Sequence, residues 1–220
     1  MIELGSYQRK IKVPSKLLIE NERDWEHLPH VHSAVFSDIR LISMDRAGWI
    51  ADVTFTNGGI ARLRVNIDED LLGWTQITTM AGHEIAKTVT SLRQLADDET
   101  EVIVTFSSAQ TPNFNKEETL AFYRSLYANL LDEDERKVLA RHKSIAAGID
   151  WRREIRIVAL ADGSEHKMPL ACPHKGLPLD CEPDEGGIVT CPWHGYQFDV
   201  KTGACVSGQI RGWKLEEGKE

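Results

Sequence analysis

Two short segments, Cys172-Pro-His-Lys-Gly-Leu177 and Cys191-Pro-Trp-His-Gly-Tyr196, decide the fold of the C-terminal part of this chain. In each segment a proline follows the cysteine, and a glycine closes the segment shortly after a histidine. Cysteine sulfur and histidine nitrogen both bind metals. Glycine and proline let a backbone turn tightly around a compact group. The segments therefore predict two loops, each of which delivers one sulfur and one nitrogen to a shared metal centre.

The residues Cys172, His174, Cys191 and His194 resemble the ligand pattern of the Rieske family, which is C-x-H, a longer gap and then C-x-x-H. In a Rieske [2Fe–2S] cluster one iron keeps two thiolates and the other iron takes two imidazoles. Neutral imidazoles make the site less negative and raise its reduction potential. The resemblance implies that these four residues bind such a cluster. A zinc ion held by the same two cysteines and two histidines is the alternative.

Two positions in these loops bear on the branch of the family. Rieske proteins of high potential carry a further cysteine in each loop, and the pair forms a disulfide. Leu177 and Trp193 stand at those places here, so the resemblance implies the low-potential branch, which serves oxygenases and their ferredoxins. For the remaining cysteines, Cys181 and Cys205, we expect buried thiols rather than a disulfide, because a reducing cytoplasm disfavours disulfides.

The composition excludes several classes of function. The chain has 220 residues, of which 41% are hydrophobic, and a net charge of −8, as an ordinary acidic globular protein has. No basic tract is present, so we expect no nucleic acid and no anionic membrane as partner. No apolar run approaches the roughly 20 residues of a membrane span, and none follows a basic stretch near Met1. The sequence predicts a cytoplasmic protein without a membrane anchor.

Residues 1–145 predict a domain in which a sheet is followed by a long helix. Residues 6–14 indicate a first strand, and a helical stretch follows from Glu20 to about Phe36. Six runs then alternate apolar and polar residues, as antiparallel strands with one wet face do. These runs are Ile39–Met44, Gly48–Thr56, Gly59–Ile67, Leu72–Met80, Glu84–Leu95 and Thr100–Ser107. The pair Asn57-Gly58 between two of them predicts a hairpin.

A long helix is predicted after Thr111-Pro112. Asn115 and Glu118 have the spacing of a capping box, and apolar residues recur at helical spacing to about His142. This order of elements resembles the helix-grip fold of the START-like superfamily, which holds apolar ligands between its sheet and its helix.

The predicted fold class is α+β, with a small all-β domain at residues 146–220 after a linker at Ser144–Asp150. Turns of this second domain are expected at Asp162-Gly163, Gly186-Gly187 and Thr202-Gly203, because glycine suits the positive φ that tight turns require.

A second group of metal-binding side chains lies in the predicted helical stretch. Glu20-Asn21 precedes Asp24, His27 and His32, which gives E-N-x-x-D-x-x-H-x-x-x-x-H. This pattern resembles the catalytic domain of Rieske ring-hydroxylating oxygenases. The resemblance implies that His27 and His32 bind a mononuclear Fe(II). It also implies that Asp24 is the catalytic acid that bridges toward the Rieske histidine of a neighbouring subunit.

The spacing of the two histidines needs a break in the helix. Residues five apart point about 140° away from each other on a straight helix, so His27 and His32 could not share one ion there. Pro29 lies between them and would break or kink the helix. His30 is the rival ligand, because it lies on the same helical face as His27. Without a metal, the three histidines would be ordinary, partly exposed side chains.

A two-histidine iron site needs a carboxylate from elsewhere in the chain. In the ring-hydroxylating oxygenases the C-terminal helix of the catalytic domain supplies it. The corresponding helix here carries the acidic run Asp132–Glu135, most of which we expect to be solvated. Asp134 continues the apolar stripe of the helix and is the predicted third ligand, with Glu135 as the alternative.

These patterns together predict a Rieske-type non-haem iron oxygenase with a [2Fe–2S] cluster and a mononuclear Fe(II). The resemblance implies O2, an electron-donating reductase or ferredoxin, and a small apolar or aromatic substrate. It further implies a homo-oligomer, with a trimer as the family-based expectation. The domain order is the reverse of that in the ring-hydroxylating oxygenases.

Two alternatives stay open from the sequence. One is a ferredoxin-like electron-transfer protein with a ligand-binding domain, and the other is a cyclase or hydrolase that uses His27 or His32 as acid or base. Five aromatic residues are candidates for a cavity lining, although plain core is the alternative for them. They are Trp49, Phe55, Trp74, Tyr123 and Tyr127.

Overall fold

The computed structural model describes residues 1–111, 114–150 and 154–213. The chain divides into two compact units, Met1–Val138 and Leu139–Glu220. The predicted domains, 1–145 and 146–220, place the division a few residues later in the chain. Pro112, after which the long helix was predicted, and the last residues of the second predicted domain, 214–220, lie outside the described residues.

The first unit is built on one antiparallel sheet with the strand order β1-β7-β6-β5-β4-β3-β2. Neighbours in this order are also neighbours in sequence except for β1, which pairs with β7 and so joins the two ends of the strand series. The strands are β1 (Ile2–Ile11), β2 (Phe36–Asp45), β3 (Gly48–Phe55), β4 (Ile60–Asp68), β5 (Gly73–Met80), β6 (His83–Ala96) and β7 (Glu99–Ser108).

Alternation along the strands buries one face of this sheet. In β4 every second residue is buried, beginning with Ala61 and ending with Ile67. A strand's side chains point to opposite faces in turn, so such a pattern leaves the other face of β4 to polar residues. The predicted extended runs therefore correspond to strands, with shifts of a few residues at their ends.

The first strand was predicted too late in the chain. It begins at Ile2 and ends at Ile11, where its last partner is Thr100 of β7. Pro14 cannot donate a hydrogen bond to a sheet, and it stands at the N-cap of the first helix instead. Pairing with β7, which the sequence of residues 6–14 does not reveal, sets the bounds of β1.

The Asn57-Gly58 hairpin between β3 and β4 is confirmed. Phe55 N–H donates to Gly59 O at 2.8 Å, and Gly58 has a φ of +83°. Asn57 does not adopt a positive φ; its side-chain oxygen accepts from Gly59 N–H at 2.9 Å. The connection is therefore a four-residue loop rather than a tight two-residue turn.

The helical stretch between β1 and β2 is broken into three pieces. Helix α1 covers Ser15–Arg23, a single 3₁₀ turn covers Trp25–His27, and a short helix α2 covers Leu28–Val31. Asp24 has non-helical dihedral angles (φ −91°, ψ 66°) and separates the first two pieces. The predicted helix from Glu20 to Phe36 was thus wrong at both ends, and Phe36 already begins β2.

Helix α3 covers Lys116–Ala146 and lies against the sheet of the first unit. The side chain of Asn115 accepts from the N–H groups of Glu117 and Glu118, as predicted for the cap. Tyr123 stacks on the fully buried ring of Phe106 in β7 and Tyr127 packs against it at a tilt, with centroid distances of 5.4 and 5.1 Å. The helix continues past His142, so the first residues of the predicted Ser144–Asp150 linker are helical.

The second unit contains two small antiparallel hairpins. One pairs β8 (Ile155–Ala159) with β9 (Glu165–Pro169), and the other pairs β10 (Ile188–Thr190) with β11 (Gln197–Asp199). The second residue of each predicted turn is a glycine with a positive φ: Gly163, Gly187 and Gly203. In the part of the chain that the structure describes, no helix has the length and apolarity that crossing a membrane requires.

Replacing Gly48 by alanine should destabilise the first unit. Its φ of +144° disfavours a side chain, and an added Cβ would lie 2.0 Å from the carbonyl oxygen of Val65 on β4. We expect G48A to lower the free energy of unfolding by about 3 kcal/mol or more. In G58A the new Cβ would meet open space, so only the positive φ is penalised and the loss should be about 1 kcal/mol. Urea unfolding followed by circular dichroism measures both, and equal losses would contradict the argument.

Candidate metal centres

The two Cys-Pro loops of the second unit have the same backbone geometry. In the first loop Gly176 N–H donates to Cys172 O, and Cys172 N–H donates to Leu177 O, both at 2.8 Å. The second loop repeats this pattern, with Gly195 N–H to Cys191 O at 2.9 Å and Cys191 N–H to Tyr196 O at 2.8 Å. Gly176 and Gly195 share a φ of +67°. Two superficially similar sequence segments are therefore structurally equivalent.

The four predicted cluster ligands lie together between these loops. Cys172, Cys191 and His194 are buried, and the rings of His174 and His194 meet edge to face with centroids 4.6 Å apart. The two thiols also lie against each other. Their hydrogen bond raises the pKa of Cys172, which burial raises further, and it lowers the pKa of Cys191. Two sulfurs on one side and two imidazoles on the other match the donor set that a Rieske cluster requires.

Leu177 and Trp193 stand at the two positions where Rieske proteins of high potential carry a disulfide. Leu177 is buried, and the indole N–H of Trp193 donates to Pro178 O at 2.9 Å, which ties the second loop to the first. No disulfide involves any of the four cysteines. Cys181 and Cys205 are half-buried rather than buried, and the Cys181 thiol donates to Thr190 O at 3.1 Å.

The first unit contains a second cluster of candidate ligands. His27 Nε2, His32 Nε2 and Asp134 Oδ1 form a triangle in which every side is 3.3 Å. Two ligand atoms about 2.1 Å from one ion and at right angles to each other lie about 3.0 Å apart. The triangle therefore fits three ligands on one face of an octahedral ion. Among the described residues, this is the group of histidines, cysteines and carboxylates whose ligand atoms converge closely enough to share a metal ion.

The local backbone explains how His27 and His32 converge. His27 ends the 3₁₀ turn, and His32 follows α2 with non-helical dihedral angles (φ −104°, ψ 40°). Pro29 occupies the first turn of α2, where its missing N–H costs nothing. The change of axis between the two short helical pieces removes the angular separation that a straight helix would impose, as the sequence predicted.

Both imidazoles are oriented through their other nitrogen. His27 Nδ1 contacts the backbone oxygen of Asp24, and His32 Nδ1 lies 2.8 Å from Glu133 Oε2. A carbonyl or carboxylate partner at Nδ1 fixes the tautomer and leaves Nε2 to face a metal, which is the usual arrangement for metal-binding histidines. Asn21 donates to Asp134 Oδ1 at 2.8 Å and orients the third side chain.

The charges of the cluster are arranged around one proton. Burial, and then the charge of Lys137, lowers the pKa of His27 to about 4. Burial also acts to lower the pKa of His32, but hydrogen bonds to Asp134 and Glu133 outweigh it and the pKa is raised. Burial would raise the pKa of Asp134, but its contacts with His27 and His32 hold that pKa far below its usual range. The raised pKa of His32 favours a proton at the place that a metal cation would take.

Asp24 does not belong to the triangle. Its carboxylate is buried and accepts from Lys137 Nζ at 2.5 Å, while its backbone oxygen orients His27. Glu135 also lies apart from the triangle, because it pairs with Arg9 of β1. His30 is exposed. The structure therefore brings together His27, His32 and Asp134 and leaves out both rival ligands.

Sequence reasoning missed two of the partners of this site. Glu133 was included in a solvated acidic run, although it orients His32, and Lys137 was not singled out. A lysine on the apolar stripe of α3, one turn after Asp134, was the available signal, because a buried lysine requires a carboxylate partner.

Two adjoining cavities lie beside the triangle. The smaller, about 80 Å³, is lined by all three triangle residues and by Glu22, Trp49 and Trp74. The larger, about 460 Å³, lies between the sheet and α3 and is mainly apolar. They share Phe36, Gln76, Tyr127 and Leu130 as a common wall. All five aromatic residues expected at a cavity line one or both of them.

Comparison with known proteins identifies the second unit. Residues 134–211 match the family described as the Rieske [2Fe-2S] domain, so this segment of the chain is a Rieske [2Fe–2S] domain. A stretch of 49 residues is 39% identical to the "4beta-methylsterol monooxygenase" of Methylococcus capsulatus (strain ATCC 33009 / NCIMB 11132 / Bath). That stretch is 22% of this chain and 13% of the relative, so the chain spans only a small part of the relative's length.

Solved structures resemble the first unit. TTHA0849 from Thermus thermophilus aligns over 62% of this chain and 97% of its own, with a TM-score of 0.51 and 16% identity. The Zhui aromatase/cyclase from Streptomyces sp. R1128 aligns over 64% and 93%, with a TM-score of 0.48 and 9% identity. The antiparallel sheet and helix α3 of the first unit form a helix-grip fold, and the chain is α+β, as predicted.

Cluster formation should depend on two of the four cysteines. We expect C172S or C191S to abolish the visible absorbance of the [2Fe–2S] cluster, because a hydroxyl does not replace a buried thiolate on iron. The variants C181S and C205S remove half-buried thiols outside the paired loops and serve as matched controls that keep the spectrum. Loss of the cluster in either control would contradict the ligand assignment.

Metal affinity of the triangle should rise with pH. A metal ion must compete with a proton for His32, and the raised pKa of this imidazole strengthens the competition, so the affinity for Co²⁺ should rise as the pH is raised through neutrality. In E133Q one of the two carboxylates that support the proton is lost, while Asp134 remains; the pH dependence should move to lower pH and the affinity fall about tenfold or more. Equilibrium dialysis of chelator-treated protein measures this. D132N alters an exposed neighbour on α3 and should behave as wild type.

Proposed function

We propose that this protein is a Rieske-type non-haem iron oxygenase. Cys172, His174, Cys191 and His194 would hold the [2Fe–2S] cluster, and His27, His32 and Asp134 would hold a mononuclear Fe(II). When bound, the cluster supplies one-electron transfer and the Fe(II) supplies activation of O2. The single observation that carries this proposal is the 3.3 Å triangle in a chain that also contains a Rieske domain.

The donor set of the triangle supports iron rather than a structural ion. Two imidazoles and one carboxylate on one face leave the other face of the ion open for O2 and substrate, as non-haem Fe(II) oxygenases require. A structural zinc site is usually closed by four protein ligands. The small cavity, which all three of these residues line, would provide that space.

The protein's own side chains have three tasks in this proposal. Asn21, Glu133 and the backbone of Asp24 orient the ligands, and the buried Lys137 balances the charge of Asp24. The apolar walls of the larger cavity bind a small apolar or aromatic substrate and exclude water from it. Asp24, which lies beside His27, is the proposed route by which an electron from the cluster would reach this site.

Electrons would come from a reductase or ferredoxin, since Rieske proteins take their electrons from such donors. We extend the family expectation of a homo-oligomer with three-fold symmetry to this chain, together with a cytoplasmic location. The sterol monooxygenase relative is compatible with an oxygenase, but a shared stretch of 49 residues does not support a sterol substrate.

The main alternative is an electron-transfer protein whose first unit only binds a ligand. It differs from the proposal in one respect, since it needs no metal at the triangle. A cyclase or hydrolase that uses His27 as base is less consistent with the site, because Asp134 and His32 hold that imidazole in a charge network.

Iron content separates these functions. We expect about three irons per chain in the loaded protein, and D134A should retain about two while the EPR signal of the reduced cluster stays unchanged. Glu135→Gln is the matched control: this residue neighbours Asp134 but pairs with Arg9, so E135Q should retain about three. Two irons per chain in the fully loaded wild type would refute the oxygenase and favour the electron carrier.

A further inference from the structure

The small cavity contains two polar side chains that no described residue satisfies. No side-chain or backbone group of the described chain donates to or accepts from the Glu22 carboxyl or the Gln76 amide. Glu22 is fixed through its backbone, since its carbonyl oxygen accepts from the indole N–H of Trp49 at 2.8 Å. Polar groups in an apolar cavity normally find a partner, so these two are candidates for contact with a ligand.

The position of Gln76 restricts which part of a ligand it meets. Gln76 lies on the wall that the two cavities share, whereas Glu22 lines only the smaller one. The smaller cavity, about 80 Å³, has room for one functional group and not for a ring system, which must occupy the 460 Å³ cavity. A polar group that enters beside the triangle therefore passes Gln76 and ends near Glu22.

The charges around the cavities disfavour an anionic ligand. Neither cavity is lined by a lysine or an arginine of the described chain, whereas Glu22 and Asp134 line the smaller one. Burial, and then the charge of Asp134, raises the pKa of Glu22 well above its usual value against the opposing charge of Lys137, which favours the neutral form of this carboxyl that donates a hydrogen bond. A neutral acid offers no charge to a cationic ligand.

We propose that Glu22 and Gln76 bind the hydroxyl group of a neutral, hydroxylated apolar substrate, such as a phenol or an alcohol. A hydroxyl both donates and accepts, and Glu22 and Gln76 together offer it a donor and an acceptor. The apolar body of the substrate fills the larger cavity. That the ligand is a substrate rests on the proposed function. The preference of the cavity for a hydroxylated ligand does not require the iron.

Binding of a matched set of probes tests the inference. Isothermal titration calorimetry of the cluster-loaded protein would compare 2-naphthol, naphthalene, 2-naphthoate and the cation of 1-naphthylmethylamine. We expect 2-naphthol to bind about tenfold more tightly than naphthalene, because it makes two further hydrogen bonds. The naphthoate should bind more weakly than naphthalene.

Variants assign the preference to the two residues. In Glu22→Leu and in Gln76→Leu the preference for 2-naphthol over naphthalene should fall to about threefold or less, while naphthalene binds at least as well as before. Thr78→Val changes a residue of the larger cavity only and is the matched control, which should keep the preference seen in the wild type. Naphthalene binding itself reports whether each variant has folded.

Failure of this inference differs from failure of the proposed function. Equal binding of 2-naphthol and naphthalene, or tightest binding of the cation, would overturn the inference even if the protein contains three irons per chain. A preference for 2-naphthol that disappears in the Glu22 and Gln76 variants would support it even if the protein contains only two. The calorimetric readout requires no turnover, so both results are interpretable.

Discussion

The triangle of His27, His32 and Asp134 imposes the strictest constraint on the first unit. Three donor atoms with mutual distances of 3.3 Å repel one another unless a positive charge lies between them. The raised pKa of His32 favours a proton at this place, and a metal ion would supply the positive charge more strongly. Burying three such atoms beside one another costs free energy, so the surrounding side chains must hold the three residues in place.

Partners on α3 and on the broken helical segment supply that support. Glu133, Asp134 and Lys137 lie within little more than one turn of α3, and they contact His32, His27 and Asp24 respectively. The Asp24–Lys137 pair is buried on both sides, and burying two charges gains little stability in itself. Its effect is to fix one register between α3 and the segment that carries the histidines, because any other register would leave a charge buried alone.

The cavities follow from the same arrangement. The rings of Tyr123 and Tyr127 on α3 pack against Phe106 of the sheet. They separate the helix from the sheet, and the cavities occupy the space beside them. The hydroxyl of Tyr127 donates to Thr88, so its polar end is satisfied within the protein. The side chains of Glu22 and Gln76 have no such partner among the described residues, so they are the polar groups that the cavity offers to a ligand. A helix-grip fold by itself specifies no ligand; these side chains do.

The sequence by itself supplied the candidate ligands of both proposed centres. The loops around Cys172 and Cys191 are local structures whose prolines and glycines dictate their shape, so their equivalence could be read directly. The break near Pro29 and the choice of His27 and His32 were likewise local. Only the tertiary structure decided between Asp134 and Glu135, because adjacent residues on a helix differ in direction and the docking angle of α3 selects one of them. It also decided the roles of Glu133 and Lys137, since a charged residue reveals its burial only when its partner, distant in sequence, is packed against it.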